Sequence, residues 1–313
     1  MNKAFIFFLA KIAIIAIIAY FLLNNLNIDH VRQALKNVSW QTICFCFVLF
    51  WTQGFLMSKR WQKIVSAKYD APPIQTMWRL NLISFFVNQV FPGSIGGDVY
   101  RGIILKKFNI PTYWAVTTVL MERFYGITGF CILVFLCLPF EWQTMNQTYL
   151  GSIVVLSMGG VAGLIAVILT ISRLPFKLPK QADYIINFSN DLWDIIHQTK
   201  NNAQILAYST LSTIVYALAP YLLALDMGLN ITYPQLLVAM IISSIVETIP
   251  VSFAGWGVRE GALVAIFATY GISKEHSLSL SLMHGVIFLL ATTPGLFLWI
   301  FEKKDLIMGK QAD

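Results

Sequence analysis

Twice in this chain an apolar run is cut by the same group of residues. Pro92-Gly93-Ser94-Ile95-Gly96-Gly97-Asp98-Val99-Tyr100-Arg101 and Pro250-Val251-Ser252-Phe253-Ala254-Gly255-Trp256-Gly257-Val258-Arg259 both read P-x-S-x-x-G-x-x-x-R. Proline removes a backbone donor and glycine weakens a helix, so neither stretch continues a membrane helix undisturbed. Four residue types in register mark the two stretches as equivalent elements of two repeats. Backbone left irregular at membrane depth has to be buried in protein or line a wet cavity, because lipid offers it no hydrogen bonds.

The surroundings are membrane-like. The 313 residues are 57% hydrophobic and 12% charged, about half the charged share of a soluble domain. Several uncharged stretches reach the roughly 20 residues that cross a bilayer as a helix. The net charge of +7 then reads as the cytoplasmic excess of Lys and Arg that orients a membrane protein, and no nucleic-acid partner is expected. Cys44, Cys46, Cys131 and Cys137 all lie in apolar spans, which argues against disulfides and zinc.

Taken in order, a first span covers about 4–23; it lacks a small-x-small cleavage site and is expected to be retained. A second span covers 40–57 and ends in a basic loop with Lys59, Arg60, Lys63, Lys68 and Arg79, which places that loop in the cytoplasm. The apolar run 80–91 is too short to span, and the chain emerges beyond Pro92 at Arg101, Lys106 and Lys107, again basic. Entry and exit on one side define a re-entrant hairpin, about 78–103. A third span follows at 112–139 and a fourth at 149–172, where Gly159 and Gly163 offer a small-xxx-small face. Residues 173–203 read as a cytoplasmic linker with an interfacial amphipathic helix over 182–197. A fifth span at 204–225, kinked near Pro220, leads to a second hairpin at 234–270, entered from the outside, and a sixth span at 277–300.

The expected fold is a single all-α polytopic membrane domain over 1–313. It has six full transmembrane helices and two oppositely oriented re-entrant hairpins, about eight helical passes. Repeat one covers about 40–139 and repeat two about 204–300, with inverted topology, as in many secondary transporters. Both termini are placed in the cytoplasm. Hairpins that truly span would give eight crossings and the same placement of the termini.

Arg101 and Arg259 follow glycine breaks near the starts of new helices. A helix N-terminus offers free N–H groups and partial positive charge, and guanidinium matches phosphate in bidentate geometry. Two such pockets, with Ser94, Gly97, Ser252 and Gly255 beside the arginines, suit a lipid head group bearing phosphate. The competing reading of Arg101 is an interfacial charge grouped with Lys106 and Lys107. Asp98, Glu122, Arg123, Glu247 and Glu260 form the expected supporting charge network. Glu122 and Arg123 point about 100° apart on a helix, so they cannot both face lipid cheaply, and Arg123 or Glu122 is expected to pair with a hairpin residue such as Asp98, Glu247 or Glu260. The competing role for this pairing is structural glue between hairpin and bundle. Asn88 and Gln89 cap or line the cavity, and His284 is the one ionisable residue within the sixth span. No H-E-x-x-H pair, lipid-phosphatase motif or aspartate-rich motif is present. Neither enzyme activity nor a metal or other cofactor is expected.

Pro92–Arg101, Glu122-Arg123-Phe124-Tyr125-Gly126 and Ala254-Gly255-Trp256-Gly257-Val258-Arg259-Glu260-Gly261 together resemble the transmembrane, flippase-type domain of the lysylphosphatidylglycerol synthase (multiple peptide resistance factor) family, over about 5–300. The resemblance implies a bacterial or archaeal inner-membrane protein that moves or presents a lipid. The sequence shows no soluble aminoacyl-transferase domain, so lysyl transfer from tRNA is not expected of it. The first expectation is a flippase for a phospholipid, aminoacyl-phospholipid or polyprenyl-phosphate lipid, facilitated or ion-coupled because no ATP-binding motif is present. The alternative is an accessory membrane subunit of a separate lipid- or sugar-modifying enzyme, and a third reading is an intramembrane lipid-modifying enzyme. A partner enzyme and a homo-oligomer are both compatible with the sequence.

Overall fold

The computed structural model describes residues 38–90, 96–141, 183–247 and 258–301, with helical backbone also at 159, 162, 163, 166 and 170. The first span, most of the fourth, both prolines of the repeated motif, Ser94, Ser252 and Gly255 lie outside the described residues. The helices are α1 (Trp40–Val65), α2 (Ile74–Val90), α3 (Gly96–Leu105), α4 (Thr112–Glu141), α5 (Asp183–His197), α6 (Thr199–Asp226), α7 (Tyr233–Glu247), α8 (Val258–Thr269) and α9 (Lys274–Phe301), with a 3-10 turn at Lys106–Phe108. No strand occurs among the described residues.

Four of these helices, α1, α4, α6 and α9, are long and apolar enough to cross a membrane. Their outer faces carry Phe45, Val48, Phe135, Leu136, Leu290 and Phe297, all exposed. Large apolar side chains left uncovered over several helices suit lipid, not water. The protein is a multi-pass membrane protein.

The shorter α2 and α7 sit inside. Residues 80–84 of α2 and 235–243 of α7 are buried without interruption, whereas a helix at a surface buries one stripe. Two glycines let neighbours touch the α2 backbone. A Cβ on Gly97 would lie 2.2 Å from the Ser84 carbonyl oxygen, and one on Gly295 would lie 2.2 Å from that of Leu82. Residues two apart on a helix point to nearly opposite sides, so α3 and α9 clamp α2 between them.

The packing repeats itself. Exchanging α1, α2, α3 and α4 for α6, α7, α8 and α9 leaves the principal touching pairs among these eight helices unchanged. Thus α2 packs on α1, α3 and α9, as α7 packs on α6, α8 and α4. The counterparts α1 and α6 lie side by side and antiparallel. The Ser39 amide donates to Asp226 (2.9 Å), the Cys46 thiol to the Ala219 carbonyl (3.5 Å), and Asn201 to the Lys63 carbonyl (3.4 Å).

Three boundaries differ from expectation. First, α1 runs on to Val65, which makes Lys59, Arg60 and Lys63 helical instead of loop residues. Its buried face, Phe50, Gly54, Ser58, Trp61 and Val65, keeps helical spacing past residue 57 and carries the helix with it. Second, α6 starts at Thr199, inside the stretch read as linker. Third, α5 does form over the expected amphipathic stretch, but Phe188, Leu192 and Ile195 pack into a cluster with Trp61, Met77 and Ile205. Its apolar face is therefore satisfied by protein. Lys68 holds it there through Asp191 and, at 3.2 Å, Asp194. At Gly159 and Gly163, the expected small-residue face, an added Cβ would meet nothing within 4 Å.

Candidate functional site: two buried charge clusters

The first cluster gathers around the start of α3. The Gly97 amide, one of the donors a helix start leaves over, bonds to the Asn88 side-chain oxygen at 2.7 Å. Asn88 thus caps the helix, as its position suggested. Asp98 follows in the first turn and Arg101 lies one turn further on the same face. Arg101 bonds through Nη2 to Asp98 (2.6 Å) and through Nη1 to Asn81 (2.8 Å) and Glu122. Its guanidinium also lies over the Trp61 ring, 4.9 Å from the centroid, a cation–π contact.

The other oxygen of Glu122 accepts from Arg60 Nη2 at 3.1 Å and Nε at 3.3 Å. Arg60 also reaches Ser209 of α6 at 3.4 Å. The second oxygen of Asp98 accepts from Arg123 at 2.5 and 2.9 Å. Asn81 donates to Ser58 at 2.9 Å. Asp98, Arg101, Glu122 and Arg60 are each at most 8% exposed, whereas the Arg123 side chain is 41% exposed. Among the described residues, three guanidiniums face two carboxylates in this cluster.

Arg101 is therefore buried and paired, not an interfacial charge grouped with the exposed Lys106 and Lys107. Of the hairpin partners considered, Asp98 pairs with Arg123, whereas Glu122 pairs with Arg101, which was not among them. Sequence reading missed Arg60, Asn81, Ser58 and Ser209. Arg60 was legible in principle, because the Ser58–Trp61–Val65 spacing keeps α1 helical through it.

The second cluster centres on α8. Arg259 bonds to Glu260 through Nη2 (2.7 Å) and Nε (3.2 Å), and through Nε to Ser281 of α9 (3.3 Å). The Ser281 hydroxyl lies 3.2 Å from Glu260. Glu247, at the end of α7, accepts from Ser243 at 3.2 Å and lies within electrostatic reach of Arg259 and Glu260. His284 stands one turn beyond Ser281, 1% exposed, among Phe50, Tyr216 and Phe288.

The two halves are similar in plan and different in charge. Across α4 Arg101 meets the carboxylate of Glu122, 21 residues on; across α9 Arg259 meets the hydroxyl of Ser281, 22 residues on. Position 256, the counterpart of Asp98, is Trp256, and the second carboxylate comes from Glu260 instead. Among the described residues no group of three metal-ligating side chains occurs. In the first half one carboxylate, Asp98, stands between two guanidiniums, whereas in the second half one guanidinium, Arg259, stands near two carboxylates.

A family model described as the lysylphosphatidylglycerol synthase TM region matches residues 8–295. A UPF0104 membrane protein of Methanocaldococcus jannaschii is 21% identical, with 94% of this chain and 93% of that protein covered. A second from the same organism is 23% identical over 64% of this chain and 87% of its own length. A UPF0104 membrane protein of Methanothermobacter thermautotrophicus is 21% identical, covering 91% and 89%.

Proposed function

Starting from a chain that belongs to the lysylphosphatidylglycerol synthase transmembrane-region family, we propose that it moves a phosphate-bearing lipid across the cytoplasmic membrane, acting as a flippase with no catalytic chemistry of its own. The observation that carries this reading is Asp98, whose two oxygens bridge Arg101 and Arg123. A phosphate presents a similar pair of anionic oxygens and binds guanidinium in the same bidentate manner. A head group that displaces Asp98 would meet two arginines, Arg101 and Arg123. Retaining charges at this depth costs roughly 2.5–3.5 kcal/mol each even on the lenient insertion scale, a cost that function explains better than packing.

The architecture supports the same reading. The pairs α2–α3 and α7–α8 act as re-entrant hairpins, since α2 and α7 are too short and too enclosed to face lipid along their length. Equivalent packing, with antiparallel counterparts α1 and α6, supports an inverted repeat. In such repeats the substrate path lies between broken helices. On this reading Arg101 and Arg259, with Gly97, line the path for the head group, and both termini face the cytoplasm.

A second reading is favoured by one fact: Arg101 is already paired with Asp98, Glu122 and Asn81, as a scaffold would require. On it the protein is an accessory subunit of a lipid- or sugar-modifying enzyme. Proteoliposomes carrying purified protein separate the two. Movement of fluorescent phosphatidylglycerol or polyprenyl phosphate by wild type, lost in Arg101→Gln and Arg259→Gln, is the expected result. Equal movement by folded variants, or none by wild type with either lipid, overturns the flippase reading as stated.

A further inference from the structure

One charged residue of the first cluster does not lie inside. The Arg123 side chain is 41% exposed, against 10% for Asp98, 7% for Arg101, 2% for Glu122 and 6% for Arg60. Taken in the order Arg123, Asp98, Arg101, Glu122, Arg60, the ion pairs form a chain that starts at the protein surface and ends in its interior. An anion arriving from outside meets Arg123 first. Arg101 lies behind it, past Asp98.

That surface faces the membrane. A rise of ~1.5 Å per residue sets Arg123 about 16 Å beyond Thr112, the start of α4, roughly half of a bilayer core. Val116 and Leu120 share its stripe of the helix, and both are exposed. On α3, next to Asp98, Val99 and Ile103 are exposed as well. Further along the same stripe of α4 the exposure ends, with Ile127 half-buried and Val134 buried. A face that met only acyl chains would stay open across the bilayer, whereas this one closes beyond Arg123.

Snorkelling does not account for the placing. An arginine on such a face would run its stem over Leu120 and Val116 toward the membrane surface marked by the exposed Lys106 and Lys107. Instead Asp98, at the end of α3 away from those lysines, holds Arg123 through Nε and Nη2. An exposed guanidinium kept at that depth is costly against hydrocarbon and is satisfied by an anion. The approach is flanked by Val99, Val116 and Leu120, so an anion that brings its own apolar chain suits it better than a free one. The second half differs here. The residue after Ser281, where α4 has Arg123, is Leu282, 6% exposed.

We propose that the seam between α3 and α4 is a lateral entry site for an anionic membrane lipid. The phosphate rests on Arg123, and an apolar chain lies along Val116 and Leu120 with Val99 and Ile103 on its other side. The head group alone is read and the chain stays in the bilayer, so the site distinguishes lipids by head-group charge. Passage of the head group inward to Arg101 rests on the transport reading; binding at the seam does not.

The test places a reporter beside the site. Leu120→Cys is labelled with bimane in a background with Cys44, Cys46, Cys131 and Cys137 replaced by alanine. The folded protein is reconstituted with brominated phosphatidylglycerol or brominated phosphatidylcholine, whose bromines quench the label at contact range. Phosphatidylglycerol is expected to occupy the site about tenfold more tightly, the worth of one charge-assisted contact. A label at Leu290, exposed on α9, should be quenched equally by both lipids, and Arg123→Gln should remove the preference at 120. Equal quenching by the two lipids at 120, or a preference that survives in folded Arg123→Gln, overturns the proposal. If Arg123→Gln does not fold, the contrast between positions decides, and the same preference at 120 and 290 overturns the site. A preference at 120 without lipid movement in the proteoliposome assay refutes transport of that lipid and leaves the entry site standing. Movement without a preference at 120 refutes the entry site and leaves transport standing.

Discussion

Glu122→Gln is the substitution that most directly tests the first cluster. Glu122 is 2% exposed and is shared by Arg60 and Arg101. At an effective dielectric constant of 20, a pair 3.1 Å apart attracts by about 5 kcal/mol before desolvation is counted. What the variant loses is not that figure, since glutamine still accepts one hydrogen bond. It loses the charge, leaving Asp98 as the one carboxylate among the described residues that pairs with these guanidiniums. Breaking a buried pair from one side costs about 3–5 kcal/mol. At ~2 °C per kcal/mol for a chain of this size, the midpoint of thermal unfolding should fall by roughly 6–10 °C. Tryptophan fluorescence of protein in detergent reads it, with size-exclusion chromatography as a check on aggregation. Arg60→Gln added to Glu122→Gln restores the original balance and should recover at least half of the loss. A single variant within a degree or two of wild type, or a double variant showing the sum of both losses, would refute the cluster as a coupled unit.

Gly97→Ala should be severe, because its Cβ would meet the Ser84 carbonyl at 2.2 Å; overpacking of this kind costs about 1–3 kcal/mol or more. Gly102→Ala, five residues on with open space at its Cβ, should leave the unfolding midpoint unchanged or slightly raised. For Lys68, outside the spans, burial works to lower its pKa, but the hydrogen bonds and charges of Asp191 and Asp194 outweigh it and raise it above 10.5. The docking of α5 that this pair supports should therefore be fully present below the ordinary lysine range and be lost as pH rises through the higher folded value. Hydrogen exchange of α5 amides across that range measures it, and Lys68→Met should cost no more than about 1 kcal/mol, since the lysine is a third exposed. Asp98→Asn should release Arg101 and Arg123 from their shared carboxylate and tighten binding of an anionic lipid, read by native mass spectrometry with phosphatidylglycerol; unchanged binding would detach Asp98 from the head-group site.

Much of the design is written in one dimension. Apolar runs longer than a bilayer fix which segments cross it, because no other structure satisfies the backbone there. The duplicated break fixes where the repeats correspond, and Asp98, Arg101, Glu122 and Arg123 stand out because charges at membrane depth are too costly to be incidental. What sequence did not determine is pairing. Arg60 carries the same charge as Lys59 and Lys63, and its burial against Glu122 follows only from where α1, α4 and α6 meet. Asn81 and Ser58 look like ordinary polar residues until α3 brings Arg101 to them. The different character of the two halves is likewise tertiary. It depends on a serine of α9 standing where α4 supplies a carboxylate, and on a histidine whose isolation arises from the rings of three other residues. Local sequence sets where a backbone breaks and which residues carry charge; how those charges balance is decided by which helices close around them.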